Sequence, residues 1–117
     1  TPLGLHQIKS KIGTNVPINT IFIARENTNQ KAKIINEKID SADDFVTSRI
    51  LWLDGLEIGK NKGSGVDSYD RYIYIHGTHE EGLIGQKASH GCIRMFNQDV
   101  IYLYEKVKEG TKVFIRT

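Results

Sequence analysis

The sequence predicts a mainly β domain with one clear helix near its C-terminus. Three observations carry this. Short runs rich in β-formers recur between turn residues, one run alternates strictly between two faces, and only one stretch, after Asn97, has helical spacing. At 117 residues the chain fits a single domain, taken here as 1–117, large enough to bury one core.

Taken in order, "NTIFIAR" (Asn19 to Arg25) and the longer "FVTSRILWL" (Phe45 to Leu53) read as strands, and Asp54-Gly55 after the second is a turn signal. Glu57 to Asp70 carries three glycines and many polar residues, which predicts an exposed loop. "RYIYIH" (Arg71 to His76) puts Tyr72, Tyr74 and His76 on one face and Ile73 and Ile75 on the other, a strand with His76 at its end. Asn97 is placed to cap a helix with Asp99 in its first turn. Val100, Leu103, Tyr104 and Val107 give it an apolar face, and Gly110 is placed to stop it. "TKVFIRT" reads as a closing strand. Strands far apart in sequence must then pair, so the core is non-local.

Sixteen Lys and Arg stand against fourteen Asp and Glu, a formal charge of +2 with the signs interleaved, which gives no basis for nucleic-acid binding. Apolar runs are only a few residues long, so no segment of this chain reads as membrane-spanning, and the opening "TPLGLHQIKS" lacks the features of a signal peptide. A single cysteine excludes an internal disulfide.

That cysteine, Cys92, lies in "QKASHGCIRMF". A lone cysteine is most often a small core hydrophobe, but its neighbours point to reactivity. Gly91 removes a side chain beside the sulfur, so a carbonyl can approach and backbone N–H groups are free for an oxyanion. Ser89 and His90 add polar groups. A thiol of ordinary pKa, about 8.5, needs a base. Of the four histidines, His6 is remote in sequence and reads as a surface or strand residue, and His79 in "THEEG" reads as a solvated loop residue. His76 and His90 remain. Strand geometry favours His76, sixteen residues before Cys92, because a strand end holds its ring rigidly; its orienter would be a backbone carbonyl, that of Gly77. A zinc site built from His76, His79, His90 and Cys92 is the rival reading, and Arg94 opposes it, since a fixed cation favours a thiolate over a dication. Arg94 reads either as a packing residue or as an anchor for a substrate carboxylate. Tyr72, Tyr74 and Trp52 read as core aromatics or as pocket walls.

The stretch from His76 to Arg94, "HGTHEEGLIGQKASHGCIR", resembles the signature of the L,D-transpeptidase catalytic domain: a histidine, a spacer, then Ser or Thr, His-Gly-Cys, an apolar residue and Arg or Asn. "TPLGLHQI", "RILWLDGLE", "RYIYIHGT" and "GTKVFI" are similar to other parts of that domain. The resemblance implies a mixed β-sheet or sandwich and a cysteine acyltransferase acting on peptidoglycan stem peptides, with no cofactor and no metal. It implies Cys92 as nucleophile, His76 as base and the Gly77 carbonyl as orienter. Ser89, His90 and Gly91 would form the oxyanion side, with Arg94, Thr78 and Tyr74 toward substrate. The acyl acceptor would be a second stem, an outer-membrane lipoprotein lysine, or water in an L,D-carboxypeptidase. The protein would be exported, and the strand or strands that usually precede the Thr-Pro-x-Gly stretch would be missing.

Overall fold

A computed structural model describes residues 1–86 and 91–117. Its elements are β1 (Gly4–Ile12), β2 (Thr20–Ile23), β3 (Glu26–Lys31), β4 (Val46–Gly55), β5 (Tyr74–Gly77), β6 (Ile93–Met95), α1 (Asn97–Lys106) and β7 (Lys112–Ile115), with a 3-10 turn at Glu81–Leu83. The mainly β expectation with one C-terminal helix holds.

Strand β4 organises the sheet. It pairs antiparallel with β1 and β2 along one edge and with β5 along the other; β6 then adds to β5 in parallel, and β7 closes the far side of β1. Residues Ile50, Leu51 and Trp52 lie opposite His76, Ile75 and Tyr74. Because side chains alternate along a strand, this register sorts the residues by face. Leu51, Leu53, Ile73 and Ile75 form one apolar cluster with Ile8, capped by Val100 and Tyr104 of α1. Ile50 and Tyr74 lie on the opposite face with Phe22, against which Trp52 and Cys92 pack. The helix therefore covers one face, and the other carries the thiol.

Several local expectations are corrected. Asp54-Gly55 does not turn the chain, since both residues stay in β4 opposite Gln7 and His6. Gly55 is needed there for closeness: a Cβ would collide with the backbone of Asn61. The reversal comes later, where the Asn61 and Lys62 N–H groups both donate to the Glu57 carbonyl. The loop 57–70 is accordingly pinned rather than wholly exposed: Asn61 and Ser68 are fully buried, and Asn61 Nδ2 donates to the carbonyls of Leu3 and Leu5. The alternating strand begins at Tyr74, because Tyr72, at φ 57°, sits in a turn outside it. Asn97 does not cap α1; its side chain, 1% exposed, is used elsewhere. Gly110 does not end the helix, which stops at Lys106 where Val107 turns extended; Gly110 instead turns the chain into β7, donating to the Ile8 carbonyl.

Reading the residues alone misses β3, an exposed, polar strand, "ENTNQK". It joins β2 through Ala24-Arg25, both at positive φ, a two-residue hairpin turn of the kind Asn-Gly normally announces.

Candidate functional site

The parallel register Ile75↔Ile93, His76↔Arg94, Gly77↔Met95 puts residues 74, 76, 92 and 94 on one face of the β5–β6 pair. A cleft on that face is lined by His76, Cys92, Arg94, Tyr72, Tyr74 and Asp44, among others. Tyr74, His76 and Arg94, among the candidates drawn from the sequence, thus meet Cys92 in one concavity.

His76 is 3% exposed, and its Nδ1 lies 2.5 Å from the Gly77 carbonyl. A carbonyl can only accept, so Nδ1 carries the hydrogen and a neutral ring keeps Nε2 as its acceptor. Gly77 itself has no alternative at this position. A Cβ there would meet Asn97 Oδ1 and the Thr47 carbonyl. Asn97 is the hub behind it: Oδ1 accepts from Thr47 Oγ1 and Ser48 Oγ, both at 2.6 Å, and Nδ2 donates to the Thr78 carbonyl and to Glu81 Oε2, both at 2.8 Å. All four hydrogen bonds of this buried amide are made, and they tie the end of β5 to β4 and to the start of α1.

The Cys92 sulfur receives the Tyr74 N–H at 3.4 Å and donates to the Tyr72 carbonyl at 3.3 Å. Beside it Gly91 has φ 127°, a conformation that L side chains rarely adopt. Burial pushes the thiol above its usual range, the Tyr74 N–H opposes this and Asp44 adds to it. Burial also pushes the His76 imidazole below 6.5, against the Gly77 hydrogen bond and Asp44, which raise it, and with Arg94, which lowers it further. Both shifts favour an uncharged thiol and imidazole at rest.

Arg94 lies deep in the cleft wall, its side chain 6% exposed. Its Nη1 donates to Glu80 Oε1 at 2.8 Å and sits 3.6 Å from Asp44 and 3.4 Å from Thr78 Oγ1. Burial alone would raise the Glu80 carboxyl, but hydrogen bonds from Arg94 and Ser41 bring it below the usual carboxylate range. Thr78 is fully buried and faces this network: its hydroxyl receives the Glu80 N–H at 3.1 Å. His79 is not solvated, being 4% exposed, with Nε2 at 2.9 Å from Ser41 Oγ and its ring 4.7 Å from that of Phe45. The chain passes beneath the segment carrying Ser41, which removes His79 from the cleft. His6 is likewise buried, bonded to Ser68 Oγ at 2.8 Å. Ser89 and His90 lie outside the described residues. Among the described residues, no three His, Cys, Asp or Glu side chains converge in a way that would hold a metal.

The family model of the L,D-transpeptidase catalytic domain matches residues 1–115. The chain belongs to that family. Relatives that are provisionally named L,D-transpeptidases include YbiS of Escherichia coli K12, 49% identical over 43 residues, which is 37% of this chain and 14% of that protein. YqjB of Bacillus subtilis 168 is 47% identical over 47 residues, 39% of this chain and 27% of its own length. YkuD of the same organism is 54% identical over 41 residues, 35% and 25% of the two chains. The chain therefore spans about a quarter or less of these relatives in matched sequence. No solved structure gives a significant match.

For this L,D-transpeptidase domain, two acidic residues at the site escape a reading of the sequence. Asp44 and Glu80 sit in "SADDF" and "THEEG", where paired acids look like ordinary solvated surface. Only the chain path from Ser41 across Glu80 brings them to Arg94.

Proposed function

We propose that this domain is a cysteine-dependent L,D-transpeptidase of the bacterial cell envelope. It would cleave the bond between the L-centre of diaminopimelate and the terminal D-alanine of a stem peptide, through a thioester on Cys92. The observation that carries the reading is the shared cleft face of β5 and β6, with Cys92 and a His76 whose Nδ1 is held by the Gly77 carbonyl.

In this reading His76 Nε2 takes the thiol proton as sulfur attacks the scissile carbonyl. With the thiol raised and the imidazole lowered by burial, proton transfer accompanies attack rather than preceding it. The same proton then goes to the departing nitrogen of D-alanine, and the acyl group stays on sulfur. Gly91 leaves room for the carbonyl beside the sulfur, and Ser89 and His90 belong to the same motif by resemblance. The Tyr74 N–H, already directed at sulfur, supports the thiolate when it leaves. A second stem amine, a lipoprotein lysine or water completes the cycle. Because its substrate lies outside the cytoplasmic membrane, the protein acts there.

The test is intact-protein mass spectrometry after incubation with a stem tetrapeptide ending in D-alanine and an acid quench. The expected result is an adduct of tetrapeptide minus D-alanine on Cys92, absent in Cys92→Ala and reduced in rate by roughly 10²- to 10⁴-fold in His76→Ala. A carbapenem should label the same sulfur. Release of D-alanine without an adduct, or no labelling by either compound in folded protein, overturns the proposal.

A further inference from the structure

The cleft holds a carboxylate for which the thiol and imidazole chemistry has no use. Asp44 lines it together with Cys92 and His76. Its side chain is 52% exposed, and among the described residues the cation paired with it, Arg94 Nη1, stays at 3.6 Å, beyond hydrogen-bond reach, since that nitrogen is already bonded to Glu80 at 2.8 Å. Asp44 therefore keeps its hydrogen-bonding capacity for something entering the cleft. It is also held in place. The segment before it is stitched to the chain after β5 by Ile35 N–H to the His79 carbonyl at 2.8 Å and Gly82 N–H to the Ile35 carbonyl at 3.0 Å. Ser41 donates to Glu80 Oε2 through its backbone N–H at 2.5 Å and through Oγ at 2.9 Å. Two residues after Asp44, β4 begins. A side chain fixed on both sides and open to solvent beside a nucleophile fits a cationic visitor.

In the thioester reading above, on which this inference rests, the visitor of matching charge is the acyl acceptor, because an alkylamine of pKa about 10.4 arrives as an ammonium. We propose that Asp44 is the acceptor-specificity residue, docking the incoming ammonium against the Cys92 thioester and so favouring aminolysis over hydrolysis. Of the three ammonium protons, one is lost to solvent to free the lone pair. Nitrogen then attacks the thioester carbonyl, the C–S bond breaks as the C–N bond forms, and a second proton passes through His76 to the departing sulfur. The third remains on the new amide. Water carries no charge and gains nothing from Asp44.

The experiment partitions one acyl-enzyme. Full-length protein is acylated with stem tetrapeptide in the presence of isotope-labelled tripeptide, whose side-chain amine is the acceptor, and the ratio of cross-linked to hydrolysed product is measured for wild type, Asp44→Asn and Asp44→Glu. Because both products come from the same intermediate, any change in the acylation rate cancels. Asp44→Asn should lower the ratio roughly tenfold, the size of one charge-assisted contact at a half-exposed position, and Asp44→Glu should restore part of it. Hydroxylamine, uncharged at neutral pH, should give the same ratio in all three. On wild type, added salt should lower the tripeptide ratio and leave the hydroxylamine ratio alone, which keeps the test open if Asp44→Asn folds poorly. An unchanged tripeptide ratio, or equal losses for both nucleophiles, overturns the role of Asp44 while leaving the thioester in place. Absence of any adduct on Cys92 in wild type overturns the thioester reading and this inference with it.

Discussion

Removing Glu80 should unfold the site from behind. Glu80 is 2% exposed and Arg94 6% in its side chain, and their 2.8 Å pair is buried between β6 and the Ser41 segment. Truncation by Glu80→Ala leaves the guanidinium with only the neutral Thr78 hydroxyl at 3.4 Å and Asp44 at 3.6 Å, and strips the Ser41 N–H of its acceptor. Breaking one side of a buried pair costs about 3–5 kcal/mol, out of a total stability of about 6–17 kcal/mol for a domain of this size. That corresponds to a fall in Tm of roughly 10–20 °C. The control is the double variant Glu80→Leu/Arg94→Met. If the cost comes from an uncompensated charge, replacing both partners by apolar groups should recover most of the loss. Urea denaturation and calorimetry of wild type, both single variants and the double variant give the coupling energy. A loss below about 1 kcal/mol in Glu80→Ala would mean the pair is exposed and worth a surface bridge. A double variant no more stable than Glu80→Ala would show that lost packing, not stranded charge, dominates.

Other perturbations have definite signs. Gly77→Ala forces a Cβ against Asn97 Oδ1 and the Thr47 carbonyl; we expect a loss of about 2–3 kcal/mol together with loss of turnover, read by denaturation and by the tetrapeptide assay. Asn97→Ala strands the hydroxyls of Thr47 and Ser48 and the Thr78 carbonyl, costing about 3–9 kcal/mol at 1–3 kcal/mol for each of the three orphans. The folded His76 imidazole lies below its unfolded value of 6.5, so the unfolded chain binds the extra proton first. Its contribution to stability is full above pH 6.5 and falls as the pH drops toward the folded value, a slope that should disappear in His76→Gln when denaturation is followed against pH. Asp44 raises both the thiol and the imidazole, so Asp44→Asn should shift the pH midpoint of Cys92 alkylation downward; an upward shift would refute the electrostatics described for the cleft.

What the sequence by itself determines here is local or carried by a motif. The alternation of Tyr74, Ile75 and His76 is a property of the strand, so it predicts which of these side chains share a face. The spacing of Val100 and Tyr104 is likewise a property of the helix. Resemblance through the His-Gly-Cys stretch names the family because the chemistry constrains those residues directly. The remainder depends on partners distant in the chain. Asp54-Gly55 has turn chemistry, yet the pairing with β1 and the approach of Asn61 keep it extended, since ladder hydrogen bonds outweigh a turn preference. Asn97 is an excellent cap by type, but Thr47, Ser48, Thr78 and Glu81 together offer its buried amide four bonds, more than one helix N–H can. Glu80 and Asp44 lie 36 residues apart, and nothing in either neighbourhood distinguishes them from surface acids. Only the crossing of the Ser41 segment over the end of β5 decides that one is buried against Arg94 and the other faces the thiol, because burial and charge pairing arise from three-dimensional proximity and leave no periodic mark on the chain.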